Sequence, residues 1–184
     1  PCWLNCGVSE MVRTQFPNGT FAVDFEYRPR GGREGNPLEV VCAAMHHMET
    51  GRTQCWWQDE LALLSSAPFP TDESALFLAY NASAEMACFA ALGWSQPKSI
   101  VDLYAEFRNL TNGKNLPAGK GLLGALAYFG EASIGASEKD EMRDLILAGG
   151  PWSEEQKRAI LAYCTSDVIA LRTLFLRMGG AQWS

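Results

Sequence analysis

The stretch that most constrains the fold is TFAVDFEYR, residues 20–28. Phe21-Ala22-Val23 is an apolar run of the kind that begins a buried strand, and Asp24 and Glu26 follow with Phe25 between them. Successive strand side chains point to opposite faces, so the two carboxylates point the same way, roughly 6–7 Å apart along the chain. Two like charges on one face at the end of a buried strand repel each other and resist desolvation. Either the strand ends in solvent there, or a cation offsets the repulsion. Mg2+ and Mn2+ take oxygen ligands and would do so.

The rest of the chain supplies the layers around that strand. The Gly/Pro/Arg-rich segment PRGGREGNP (29–37) reads as a loop, and LEVVCAAMHHM and RTQCWWQ, separated by ETG, read as a hairpin. The chain therefore opens with three antiparallel strands, preceded by residues 1–18, which read as irregular and end in the turn FPNG. LFLAY (76–80) reads as another buried strand. From Ser83 the pattern turns helical, with Met86, Phe89, Ala90 and Leu92 at helical spacing and Gly93 as the stop. SIVDLY (99–104) is a short strand or a strand-to-helix junction, where Asp102 suits a helix cap. Helices follow through LLGALAYF, ending near Gly130, and through SEKDEMRDLILAGG, with Ser137 as N-cap and Gly149 past the end. The longest helical pattern starts at PWSEEQ, where Ser153 and Gln156 form a capping box. One domain spans 20–178, with 1–19 ahead of it and 179–184 as a tail.

Composition bounds the function classes. With 184 residues, 47% hydrophobic and 20% charged, the chain can bury one sizeable core. The net charge of −6 argues against a protein that wraps long nucleic acid, because such affinity comes largely from phosphate neutralisation. It leaves room for an enzyme that handles a few terminal nucleotides in a carboxylate-rich pocket loaded with divalent cations. Cys2 and Cys6 form a C-x3-C without a second Cys/His pair, and Cys42, Cys88 and Cys164 sit in apolar or helical stretches as packed thiols. No apolar run suggests a membrane span, and the expected location is cytoplasmic, bacterial or that of a virus's host.

A metal at Asp24 and Glu26 needs further carboxylates from converging elements. In AYNASAEMACF a strand ends at Tyr80, Asn81 begins a turn, and Glu85 lies one turn into the next helix. The end of a strand followed by a helix start is where α/β sheets place functional groups, although Asn81 or Ser83 capping and Glu85 complementing the dipole would explain the same residues. In AYCTSDV, Tyr163 and Asp167 are four apart on one helix face. Asp is a poor helix-interior residue, so its place needs a reason.

In order, D-x-E on the first strand, N-x3-E after a later strand and Y-x3-D in a late helix resemble the DEDD superfamily of 3′–5′ exonucleases. The likeness is to its tyrosine-bearing subgroup and, within it, to the proofreading domain of DNA polymerase I-like (family A) enzymes. It covers about residues 20–178. It implies an α/β, ribonuclease H-like fold, a mixed five-stranded sheet flanked by helices. It also implies two divalent metal ions, Mg2+ or Mn2+, held by Asp24, Glu26, Glu85 and Asp167. Tyr163 and Glu26 would orient the attacking water, and nucleoside 5′-monophosphates would leave one at a time from a single-stranded 3′ end of DNA. The implied partner is a DNA polymerase, in cis or in trans.

The family usually has Asp where this chain has Glu85, whose oxygens reach roughly 1.3–1.5 Å further from the backbone. A Glu85→Asp change is therefore expected to keep activity, and Asp102 is the spare carboxylate near the site. Phe25, Tyr27, Asn81 and Met86 are the candidate substrate contacts near the motifs. Arg28, Arg30, Arg33, Lys139 and Arg143 are candidates for phosphate. His46, His47, Trp56 and Trp57 are given no catalytic role. An RNA substrate, or a fold kept as a binding or docking module with Glu85 as a mark of decay, are the rival readings.

Overall fold

The computed structural model describes residues 10–32, 35, 37–131 and 136–179. Strands β1 (Gly19–Pro29), β2 (Leu38–His47), β3 (Thr53–Trp57), β4 (Ala75–Ala79) and β5 (Ile100–Asp102) form one sheet in the order β3-β2-β1-β4-β5. The short turn between β2 and β3 enforces antiparallel pairing, as does the return from β1 to β2. β4 and β5 join parallel to β1 and to each other, and each arrives after a longer crossover. The helices are α1 (Glu10–Gln15), α2 (Gln58–Leu61), α3 (Ala82–Leu92), α4 (Leu103–Leu110), α5 (Leu122–Tyr128), α6 (Ala136–Ala148) and α7 (Glu154–Arg177). The mixed five-stranded sheet flanked by helices is the architecture expected.

The sheet is covered on both faces, and the alternation along β1 decides which side chain enters which layer. Phe21, Val23 and Phe25 pack with Phe69, Phe77, Phe89 and Trp94 on the α3 side. Ala22 points to the other layer, among Ile160, Val168, Leu171 and Phe175 of α7. Asp24 and Glu26 continue the Ala22 face, so the strand that supplies both cores also delivers two carboxylates beneath α7. A bulge falls just after them, where Glu26 opposes Cys42 but Tyr27 opposes Val40. Bulges re-aim side chains where pairing ends, and here that place is the site.

Most stop and start signals hold where the sequence placed them; the exception is Ser137, expected as the N-cap of α6 but lying inside a helix that already includes Ala136. Gly93 and Gly149 take left-handed backbone (φ 71° and 82°) at the ends of α3 and α6, a conformation that glycine adopts without a Cβ clash. Ser153 and Gln156 make both halves of the capping box on α7.

Three expectations need correction. Residues 10–15 are helical where the sequence read as irregular, and Val12 and Phe16 are buried in the α7-side core. The helix is too short for a periodic pattern to show in the sequence. A one-turn helix, α2, follows β3 directly. Finally, α7, at 24 residues, is long and apolar enough by composition to cross a membrane, although no such stretch was expected. It serves here as a core helix, with Ile160, Cys164, Asp167, Val168, Leu171, Leu174 and Phe175 buried. Cys2, Cys6, Arg33, residues 180–184 and the side chain of Ser137 lie outside the described residues.

Candidate active site

β1 carries Asp24 and Glu26 out of the core at half-buried positions facing α7. Cys164 of α7 sits fully buried against them, its Sγ 3.5 Å from the Asp24 carbonyl oxygen and 3.6 Å from Asp24 Oδ2. One donor atom from each of Asp24, Glu26 and Cys164 lies within 4.8 Å of the others. Three residues along the same helix face, Asp167 is 6% exposed and receives a 2.9 Å hydrogen bond from Lys139 Nζ on α6. The Lys139 ammonium also lies 5.5 Å from the centre of the Tyr163 ring.

Glu85 enters from the opposite layer. β4 pairs with β1 only from Gly19 to Ala22, so beyond that point β1 has no β4 partner. The Glu85 carboxylate takes up the slack by accepting a hydrogen bond from the Phe25 N–H. Glu85 is 3% exposed, and its Oε2 has no hydrogen-bond partner among the described residues.

Like charges crowded this closely hold protons. Burial, then the neighbouring Asp167, pushes the Asp24 carboxyl up to about 7, with Lys139 and the Cys164 thiol opposing. Burial and Asp24 push Glu26 up to about 10. Glu85 is also driven well above the usual carboxylate range, by burial and then by Asp24 and Glu26. The Tyr163 phenol is raised by burial and by Asp167, so it stays protonated at neutral pH. Lys139 is the cation that lowers Asp24 and Glu26, and one ammonium does not offset four carboxylates. Four carboxylates, one of them with an unpartnered oxygen, fit hard divalent cations, which would offset their mutual repulsion.

Two clefts open on this cluster, and Lys139 lines both. One, of about 820 Å³, is lined by Glu26, Tyr27, Lys139, Arg143, Leu147 and Tyr163 among others. The second, of about 360 Å³, is lined by Asp24, Tyr80, Asn81, Tyr104, Lys139 and Asp167 among others.

The structure therefore brings Asp24, Glu26, Glu85, Tyr163 and Asp167 together, and it sorts the other candidates. Phe25 is not available to substrate: it is 3% exposed, facing Phe89 at 5.5 Å, because alternation sends it to the layer away from Asp24. Met86 is half-buried and packs against that same core. Tyr27 and Asn81 line the first and second clefts respectively. Arg28 pairs with Glu39 at 2.9 Å and lies over Trp152, leaving Lys139 and Arg143 as the described basic residues of the larger cleft. Asp102 accepts hydrogen bonds from the amides of Asn81, Ala82, Tyr104 and Ala105, capping α3 and α4 at once. Neither Asn81 nor Ser83 caps α3 through its side chain; the Asn81 amide oxygen accepts from Ser83 Oγ. Cys164 is the packed thiol that the sequence indicated, but its contact with Asp24 was not read from the sequence. Its place next to Tyr163 and three before Asp167 was the available signal.

No family model matches the chain, and no curated protein sequence matches it. Solved structures do. RNase D of Trypanosoma brucei superposes with a TM-score of 0.62 at 15% identity, over 95% of this chain and 62% of that one. A structure described as the apo form of a nuclease gives 0.56 at 14% identity, over 93% of this chain and 78% of that one. The chain thus spans about three fifths of the length of the RNase D it matches. At these identities the likeness speaks to the fold, and the fold is the ribonuclease H-like α/β sheet of these nucleases.

Proposed function

We propose that the protein is a metal-dependent 3′–5′ exonuclease, acting on a single-stranded 3′ end of DNA and releasing nucleoside 5′-monophosphates. The observation that carries this reading is the convergence of Asp24 and Glu26 from β1, Glu85 from α3, and Tyr163 and Asp167 from α7, with the Asp24, Glu26 and Glu85 carboxyls raised and a Glu85 oxygen unpartnered among the described residues. Asp24, Glu26 and Asp167 would hold one divalent cation, and Asp24 with Glu85 a second, either ion being Mg2+ or Mn2+. When bound, the pair supplies a water of lowered pKa and neutralises charge on the departing oxygen.

The chain's own groups do the rest. The protonated Tyr163 phenol and the Glu26 carboxylate orient the attacking water. The Lys139 ammonium, reachable from both clefts, meets a phosphate once Asp167 turns to a cation. Tyr27 and Leu147, the latter 41% exposed, offer an apolar wall for a splayed terminal base. Proofreading for a polymerase, in cis or in trans, is the role this activity suits.

A second substrate reading is RNA, favoured by the likeness to an RNase D. Matched DNA and RNA oligonucleotides, labelled at the 5′ end and incubated with Mg2+ or Mn2+, decide between them. The expected result is a ladder shortening from the 3′ end of DNA, abolished by Asp24→Ala and by Asp167→Ala. RNA-only shortening transfers the reading to an exoribonuclease. Absence of metal-dependent shortening of either, by folded protein, overturns the enzyme reading in favour of a binding module.

A further inference from the structure

Cys164 is packed in the core with its thiol hydrogen-bonded to Asp24, which also places a sulfur beside the carboxylates of the site. Its Sγ lies 3.6 Å from Asp24 Oδ2, inside a triad whose donor atoms are all within 4.8 Å. For a cation bound to one oxygen at about 2.0–2.2 Å and one sulfur at about 2.3 Å, a tetrahedral angle puts the two donors about 3.5–3.7 Å apart, and a right angle about 3.1 Å. The observed 3.6 Å, held in the metal-free protein by the thiol's hydrogen bond to Asp24, matches the tetrahedral edge, so a cation can replace the thiol proton without moving either donor. A second observation lies beside it: the buried Glu85 carboxylate, its Oε2 unpartnered, acts electrostatically on Asp24 and Glu26.

We propose that Asp24, Glu26 and Cys164 form a mixed oxygen–sulfur site that captures borderline and soft divalent cations (Zn2+, Co2+ or Cd2+) in tetrahedral geometry, in competition with the hard ions of the nuclease. Thiolate ligands favour such ions over Mg2+ and Mn2+, and for a given site Zn2+ outranks Mn2+ in affinity. As the metal–sulfur bond forms, the thiol proton passes to solvent. The inference rests on the nuclease reading only for the meaning of the competition; the site itself stands on geometry.

One equivalent of Co2+ added to the metal-free protein is expected to produce a thiolate-to-cobalt charge-transfer band in the near ultraviolet. The band is expected to vanish in Cys164→Ser and to persist in Cys42→Ser, whose thiol neighbours Cys164. Calorimetry is expected to show Cys164→Ser weakening Zn2+ by about tenfold or more, with the Mn2+ affinity changed much less. Co2+ binding without the band, or a band that survives Cys164→Ser, overturns the proposal. Should that variant fail to fold, X-ray absorption on wild-type protein with one equivalent of Zn2+ decides: a sulfur neighbour at about 2.3 Å supports the site, and an oxygen-only shell overturns it. Wild-type protein that shows the band but degrades no oligonucleotide keeps this site and loses the nuclease reading. Mg2+-dependent degradation without the band does the reverse.

Discussion

Glu85 shows how much one methylene can decide. A carboxylate at its position was legible from the N-x3-E spacing, and so was its departure from the expected Asp. What the extra length does was not legible, because that depends on β4 parting from β1 after Ala22 and leaving the Phe25 amide to a side chain. Aspartate there would withdraw the carboxylate by roughly one C–C bond and release that amide. Glu85→Asp is thus expected to keep activity, as the sequence suggested, but at a reduced level. Initial rates against Mn2+ concentration are expected to fall by about 10- to 100-fold, the scale set by ångström-sized misplacement in an active site. Glu85→Gln, which keeps the reach but loses the charge, is expected to require more Mn2+. A wild-type rate for the aspartate variant would show that the Phe25 contact does not place this group. Phe25 carries the complementary lesson. Proximity in sequence to Asp24 suggested a base-stacking role, yet the period of two that makes Asp24 and Glu26 neighbours is what removes Phe25 to the far layer.

Among the elements, α3 and α4 share a single cap. Asp102 closes β5 and accepts from amides at the starts of both helices, at 3.0–3.3 Å. The sequence disclosed its role on α4, directly adjacent, but the reach to Asn81 and Ala82 arises from β4 and β5 lying side by side in parallel. This explains why Asn81 can adopt left-handed backbone (φ 72°) without capping α3 through its own side chain. Losing one N-cap costs about 1 kcal/mol, so Asp102→Ala is expected to lower stability by about 2 kcal/mol and Tm by about 4–8 °C. Because α3 carries Glu85, the same variant is expected to weaken metal binding. Asp102→Asn, which retains an acceptor oxygen, is expected to recover part of both. Calorimetric melting alongside Mn2+ titration checks this: a melting loss without any change in Mn2+ affinity would uncouple the cap from the site.

At the scale of the whole molecule, the antiparallel start of the sheet was readable because it follows from connection length, whereas the return of β4 to the free edge of β1 was not. A short turn makes a hairpin, and a long crossover makes a parallel neighbour. The docking of α1 was hard to read because the core partners of the described apolar residues Val12 and Phe16 come from distant segments. The cluster that this topology assembles also sets how the molecule responds to pH. In the unfolded chain Asp and Glu titrate at about 3.9 and 4.3, whereas folded Asp24 and Glu26 are raised to about 7 and about 10 by burial and mutual repulsion. Between those values the metal-free folded state binds more protons than the unfolded one, so stability falls as pH rises. The site's contribution is complete below about pH 4, and it is lost as pH climbs through about 7 for Asp24 and on towards about 10 for Glu26. Other carboxylates titrate oppositely, so the quantity to measure is the difference between wild type and Asp24→Asn, whose amide carries no charge. With chelator present, the wild-type Tm is expected to drop relative to this variant between about pH 5 and 8, by about 2–4 °C for each kcal/mol of linkage. Saturating Mn2+ is expected to reverse the order at pH 8, because the cation binds the deprotonated carboxylates that destabilise the empty cluster. A wild-type Tm that rises relative to the variant without metal would mean that these carboxylates ionise freely and that no cation is needed to hold them together.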